Sequence, residues 1–172
     1  MKFVFGCFLS RRHVPSLLLV LVLLLGGGLS QVNGTETGPY VSLLWPGIGV
    51  GWAGEKWRGE ARAQWVNGNS EEGRTGYVGF RANRRFRLKP KLRWYVGTEG
   101  GVFQHEDDSN FQTDGLVFGG YLGVEKFFGK RFSFTFDIGP YWAETESQQD
   151  ITGSEVDAVA NAALSWWWGG SK

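Results

Sequence analysis

The feature that most constrains the fold is an alternation of apolar and polar residues with a period of two, which recurs along the chain after Tyr40. It is plainest in residues 57–65, where one face carries Trp57, Gly59, Ala61, Ala63 and Trp65. The other face carries Arg58, Glu60, Arg62 and Gln64. Successive side chains of a β-strand point to opposite faces, so such a segment is apolar on one side and charged on the other. Residues 92–102, 116–124 and 132–142 repeat the pattern, which predicts an all-β protein.

Seven strands can be read from this pattern, at residues 42–52, 56–66, 75–84, 91–104, 115–126, 131–144 and 157–168. Single-chain barrels of bacterial membranes usually have an even number of strands, with eight the smallest. Dividing the first strand at Pro46-Gly47 gives two halves that are each too short for a crossing. The eighth strand is therefore left open between imperfect closure, a misread strand and an irregular strand in residues 31–40. The predicted fold is a small antiparallel up-and-down transmembrane β-barrel of about eight strands.

The first 30 residues have the layout of a secretory signal. A basic start (Lys2, Arg11 and Arg12) precedes the apolar run 17–25, and small residues follow up to Ser30. The run is about half as long as a membrane-spanning helix requires. We expect residues 1–30 to be cleaved, 31–40 to form a linker or the irregular strand, 41–168 to form the barrel and 169–172 to be a C-terminal extension. The cleaved chain contains no cysteine, because the one cysteine is Cys7.

The alternation alone fits a soluble barrel as well as a membrane barrel, and three features favour the membrane. Trp57 and Trp65 lie roughly 26 Å apart along a strand, near the height of a transmembrane apolar band after tilt. The polar faces carry four cations and four anions, which predicts a charge-paired lumen of Arg58, Glu60, Arg62, Arg81, Arg93, Glu99, Glu125 and Asp137. Aromatic residues concentrate at strand ends, which predicts an interfacial girdle of Trp52, Trp57, Trp65, Trp94, Trp142, Trp166 and Trp168. The alternative is a soluble exported carrier similar to lipocalins.

The connections between strands are of two kinds that alternate along the chain. Long, acidic links are predicted at 67–75, 104–114 and 144–157, and short links at 53–56, 83–91 and 127–131. Long loops of outer-membrane barrels face the outside and short turns face the periplasm. The short side is basic, and cations there would lie beside anionic lipid headgroups. The net charge of +1 gives no reason to expect a nucleic-acid partner.

Residues 119–128 (GGYLGVEKFF) followed by 132–139 (FSFTFDIG) resemble the small outer-membrane β-barrel proteins of Gram-negative bacteria. The resemblance implies a bacterial outer-membrane location, contact with outer-membrane lipids and insertion by the barrel-assembly machinery. That machinery recognises a C-terminal strand with terminal aromatics, and residues 164–168 (LSWWW) look like this signal. Residues 169–172 depart from the family pattern, which usually ends in an aromatic residue.

Catalytic chemistry rests on one candidate, His105, which the predicted topology places at the outer rim near Ser109. Some barrels of this class modify lipids with a histidine base and a serine, so a lipid-modifying enzyme using His105 is one alternative function. No metal-ligand spacing is present, and no cofactor is expected. An eight-stranded barrel has an interior only wide enough for side chains. The predicted function is therefore a structural or surface-interaction role, in which acidic extracellular loops meet an unknown ligand.

Overall fold

The computed structural model describes residues 37–67, 73–106, 112–147 and 152–168. These residues form eight antiparallel strands: β1 (Gly38–Leu44), β2 (Gly47–Ala53), β3 (Trp57–Asn67), β4 (Arg74–Lys89), β5 (Leu92–Glu106), β6 (Gln112–Phe128), β7 (Phe132–Ser147) and β8 (Thr152–Trp167). Each strand pairs with the next in sequence, and β1 pairs with β8 to close the ring. The predicted all-β, up-and-down barrel is confirmed. Among the described residues, no helix has the length and hydropathy needed to cross a bilayer.

The eighth strand comes from the division at Pro46, so the single predicted strand 42–52 was wrong. β1 and β2 are seven residues each, and a two-residue turn of Trp45 and Pro46 joins them. Gly47 follows the turn with φ of 146°, a backbone conformation that other residues rarely adopt. The expectation that each half must cross the whole barrel led to the error. The hairpin instead ends halfway up its neighbours, where Leu44 pairs with Ala163 of β8 and Ile48 with Ala63 of β3.

The hydrogen-bond register advances by ten residues around the ring. Partners followed from Tyr40 through every strand arrive at Asp157, whereas Tyr40 itself pairs with Trp167. Such a stagger requires the strands to tilt against the barrel axis. Residues that are far apart in register therefore reach the same level inside the barrel.

Inward-facing aromatic rings lie across glycines of neighbouring strands. A Cβ added at Gly119, for example, would meet the ring of Tyr141, and one added at Gly123 would meet Tyr95. The same relation holds for the pairs Gly51–Tyr40, Gly97–Tyr121, Gly101–Tyr77 and Gly115–Phe103. Glycine at these positions leaves space against the wall, so a narrow barrel can hold large rings.

The strands reach further toward one end of the barrel than the sequence pattern predicted. Glu106, Asp114 and Glu144, which were assigned to long acidic links, are strand residues of β5, β6 and β7. Period-two alternation fades where both faces become polar, so the pattern could not locate these strand ends. At the other end, short turns at 54–56, 90–91 and 129–131 join the strands. We call the two ends the acidic end and the short-turn end.

Candidate functional site: the charged lumen and its apolar exterior

All eight residues of the predicted lumen network point inward and are at most 9% exposed. Seven of them form one chain of alternating charge. Near the short-turn end of the barrel, Arg58 Nη1 lies 2.9 Å from Glu125 Oε1 and Arg58 Nη2 lies 2.8 Å from Glu60 Oε2. Arg62 continues it, with contacts of 2.8 Å to Glu60 and 3.3 Å to Glu99.

Arg81 forms the far part of the chain. Its Nε lies 3.5 Å from Glu99, and its Nη2 lies 3.0 Å from Asp137. The order is thus Glu125, Arg58, Glu60, Arg62, Glu99, Arg81, Asp137, so each interior member of the chain has opposite charges on both sides. Charges in a protein interior are tolerated when opposite charges lie beside them in this way.

The local sequence explains how the chain forms. Arg58 and Arg62 flank Glu60 at a spacing of two residues, so all three side chains share the inner face of β3. Glu60 also pairs in register with Arg81 of β4, and Arg81 pairs with Glu99 of β5. Opposite charges on facing positions of adjacent strands attract each other.

The eighth predicted residue, Arg93, lies at the edge of the network near the short-turn end. It pairs in register with Glu125, and its guanidinium lies over the ring of Phe127, with 5.4 Å to the centroid. Arg93 therefore lies beside the chain of ion pairs and makes a cation–π contact with Phe127.

Sequence reasoning missed Arg85, whose side chain is buried beside the same network. Its Nη1 lies 3.3 Å from Glu125 Oε2, and its guanidinium also donates to the Gly54 carbonyl. The predicted strand ended at residue 84, which assigned Arg85 to the basic turn. Continuing the period of two from Arg81 through Asn83 would have placed it inside.

Small hydroxyl residues complete the network near the short-turn end, and they too were not predicted from the sequence. The hydroxyl of Ser42 lies 2.8 Å from that of Ser165 and 3.1 Å from Glu60 Oε2. Ser133 donates to Glu125 Oε1 at 3.1 Å and accepts from the Trp167 indole at 2.9 Å. Serines alternate with apolar residues on any half-polar strand, so no sequence signal distinguishes these.

Buried tyrosines contact the carboxylates of the chain, and Tyr77 and Tyr141 lie on its acidic-end side. Tyr77 and Tyr141 donate to the two oxygens of Glu99 at 3.0 and 2.9 Å. Tyr95 donates to Asp137 Oδ2 at 2.9 Å. The tyrosine rings pack with Phe103, Val117, Tyr121 and Val159 in one buried cluster. Glu99 and Asp137 thus both accept hydrogen bonds from phenol hydroxyls of this cluster.

The exterior has the opposite character. The seven predicted girdle tryptophans are all outward, between 38% and 64% exposed. Trp52, Trp57, Trp94, Trp166 and Trp168 lie toward the short-turn end, and Trp65 and Trp142 lie toward the acidic end. Between them the wall is aliphatic or phenylalanine, with exposed residues such as Val50, Phe80, Val96, Leu122 and Ile138. Trp167 is the exception, because it is buried among Tyr40, Ala53 and Phe127.

His105 faces inward at the acidic end and is 9% exposed. Its Nδ1 lies 2.8 Å from the Thr75 hydroxyl, and its register partner on the other side is Thr113. Ser109, the serine predicted to lie near His105, is outside the described residues. The observed contact joins β4 to β5 across their pair, as a cross-strand hydrogen bond does.

An outer groove of about 840 Å³ lies on the wall at the acidic end. Its lower part is apolar, with Val78, Val102 and Leu116. Its part nearer the acidic end is polar and acidic, with Gln104, Asp114, Glu144 and Glu146.

Among the described residues, no group of three or more histidine, cysteine or acidic side chains has metal-binding geometry. A scan of family models finds no match, and neither does a search of curated proteins or of solved structures.

Proposed function

We propose that this protein is an outer-membrane β-barrel of a Gram-negative bacterium, with a filled, charge-paired lumen and a structural or surface-interaction role. The observation that carries the proposal is the inverted distribution of side chains. Buried side chains include the ion-pair chain from Glu125 to Asp137, whereas large apolar side chains cover the outer wall. Lipid would solvate such a wall, and water would not.

The filled lumen supports a structural role over conduction. Tyr77, Tyr95 and Tyr141 donate to carboxylates of the network and pack beside it in one buried cluster of the interior. An eight-stranded barrel has no room for a channel once such side chains occupy it. A solute path would require the tyrosines and the ion pairs to move together.

The groove at the acidic end supports surface interaction. Val78, Val102 and Leu116 are each more than half exposed, and the acidic residues Asp114, Glu144 and Glu146 lie directly above them. In the proposed orientation, the apolar part is at the level of the lipid interface and the acidic part is outside. Such a groove suits a partner that presents apolar and basic groups side by side.

The location is tested by folding the urea-denatured chain, without residues 1–30, into phosphatidylcholine vesicles. We expect the protein to float with the vesicles and to migrate differently on a gel before and after boiling. A monomer that stays soluble without lipid and shows no shift on boiling would overturn the membrane proposal and favour a carrier.

A pair of variants makes this experiment sharper. Leu122→Arg places a charge on the middle of the apolar wall, where a bilayer would oppose it by about 2–4 kcal/mol. Gln104→Arg places the same charge above the apolar wall, where about 0–1 kcal/mol is expected. Both side chains are exposed, so equal folding yields for the two variants would contradict a lipid-facing wall.

A further inference from the structure

Among the described strands, the short hairpin of β1 and β2 leaves a gap in the wall at the acidic end, which we call the notch. β8 pairs with β1 only through residues 163–167, so residues 152–162 have a described partner on the β7 side alone. On the opposite side of the notch, β3 pairs with β2 through Ala63 and no further. The notch therefore exposes two strand edges, of which that of β8 is the longer.

The direction of the β8 amides follows from one hydrogen bond. The Trp168 amide donates to the Pro39 carbonyl, on the β1 side. Amide direction alternates along a strand, and the β7–β8 register runs without interruption from Thr152 to Trp166. The amides that face the notch are therefore those of Ser154, Val156, Ala158, Ala160 and Ala162.

One of these amides donates a hydrogen bond to a side chain, on the side where the backbone of an added strand would lie. The Ala158 amide donates to Oδ1 of its neighbour Asp157 at 2.8 Å. Such local side-chain bonds compete with strand pairing, and they satisfy an edge only one group at a time. Asp157 thus caps one donor of the edge, and an incoming strand would release it.

We propose that this edge of β8 accepts an extended polypeptide segment of another protein, which adds in the notch as a further strand. The inference stands on the barrel topology and does not depend on the membrane location. A hydrocarbon chain could enter an apolar notch, but it would leave the backbone donors and acceptors unsatisfied. A strand satisfies them all with one regular ladder.

The side chains beside the edge indicate which segment fits. Glu155 and Asp157 are exposed on the lumen side of β8, and Val156, Ala158 and Ala160 occupy the outer side. An added strand presents alternate residues to these two sides. The partner segment therefore alternates basic residues with apolar ones.

The edge itself is tested by proline substitutions. Ala160→Pro removes an amide that faces the notch, so the barrel should fold with nearly unchanged stability. Asn161→Pro removes an amide that bonds to β7 and should lower the urea midpoint of unfolding strongly. Asn161→Ala is the control, because it measures the part of this effect that comes from losing the side-chain hydrogen bond to Asp137 Oδ1. Equal destabilisation by the two prolines would show that β8 is paired on both sides and would overturn the proposal.

Strand addition is tested with a ten-residue peptide of alternating lysine and valine, by backbone hydrogen exchange of the folded protein. We expect saturating peptide to slow exchange of the Val156, Ala160 and Ala162 amides at least about tenfold. In the Ala160→Pro variant, the peptide should not slow exchange of the Val156 and Ala162 amides. A peptide N-methylated on alternate residues has the same charge but lacks donors on one edge, and it should bind at least about tenfold more weakly. Equal binding of both peptides would overturn strand addition in favour of charge attraction alone.

A charge-reversed variant and two peptide-free controls complete the test. E155K/D157K should weaken peptide binding at least about tenfold, whereas E55K, in a short turn at the opposite end of the barrel, should not. Slow exchange in free protein that strengthens with protein concentration would identify a second copy as the occupant and overturn our choice of partner. Slow exchange in free protein that depends on the kind of lipid or detergent would identify an apolar chain as the occupant and would also overturn our choice of partner.

Discussion

Replacing Glu125 by glutamine tests whether the lumen is held by ion pairs. Glu125 is fully buried and accepts from Arg58 at 2.9 Å, from Arg85 at 3.3 Å and from Ser133 at 3.1 Å. Glutamine has nearly the same shape, so the change creates no cavity. It removes the charge that Arg58 and Arg85 share, and its amide group donates toward the same arginines that already donate.

The expected destabilisation is about 3–5 kcal/mol, the usual effect of removing one member of a buried pair. With a urea dependence of about 2 kcal/mol per molar, the lower value moves the unfolding midpoint by about 1.5 M. The folded fraction is read from the gel band that shifts on boiling, or from tryptophan fluorescence. Glu144→Gln is the matched control, because Glu144 is exposed on the outer wall and its loss should change stability by about 0.5 kcal/mol or less.

A second substitution separates charge from shape. Adding Arg85→Met to Glu125→Gln removes one of the two cations that contacted Glu125, so the double variant should be more stable than the sum of the single effects predicts, by at least about 1 kcal/mol. If Glu125→Gln shifts the midpoint no more than Glu144→Gln does, the network is solvated or neutral and ion pairs do not hold the lumen together.

Three further predictions address the packing and the chemistry. Gly119→Ala should destabilise by about 1–3 kcal/mol because its Cβ meets the Tyr141 ring and the Pro140 carbonyl, whereas Gly76→Ala, with open space around its Cβ, should be neutral or slightly stabilising in the same urea titration. Tyr141→Phe should lower the free energy of unfolding by about 1.5–3 kcal/mol because Glu99 loses a donor at 2.9 Å, and an unchanged midpoint would mean that water replaces the phenol. Purified protein and the His105→Ala variant should both leave ester-linked acyl chains of outer-membrane lipids intact on thin-layer chromatography, since the Nδ1 of His105 lies within hydrogen-bond distance of the Thr75 hydroxyl. Histidine-dependent acyl release would replace the structural role with an enzymatic one.

The interior was predictable from sequence where charge and period two coincide. Arg58, Glu60 and Arg62 alternate with small residues on one strand, so their common face follows from strand geometry alone. Which cation meets which anion was not predictable, because it depends on the ten-residue stagger of the register. Arg62, for example, contacts Glu99, a residue two strands away, only because the tilt brings the two to one level.

The division of the first strand was missed for a different reason. A membrane crossing sets a minimum strand length, and that rule excluded two strands of seven residues. The rule applies to strands that span alone, whereas β1 and β2 lie against longer neighbours. The local signals of Pro46 and Gly47 described the chain correctly, and the global expectation overrode them.

Side chains of the lumen network bridge the barrel where the short hairpin closes it. β1 pairs with β8 through five residues only, so its backbone ladder is the weakest closure of the ring. Side chains of the network reinforce that seam from within: Ser42 of β1 contacts Ser165 of β8 at 2.8 Å and Glu60 of β3 at 3.1 Å. Arg58 donates to the Tyr40 hydroxyl at 2.7 Å and to Glu125 on the opposite wall, so one guanidinium links β1 and β3 to β6. Loss of Glu125 should therefore open the ring first at the β1–β8 seam, and amide exchange of residues 163–167 should rise before that of the β5–β6 pair.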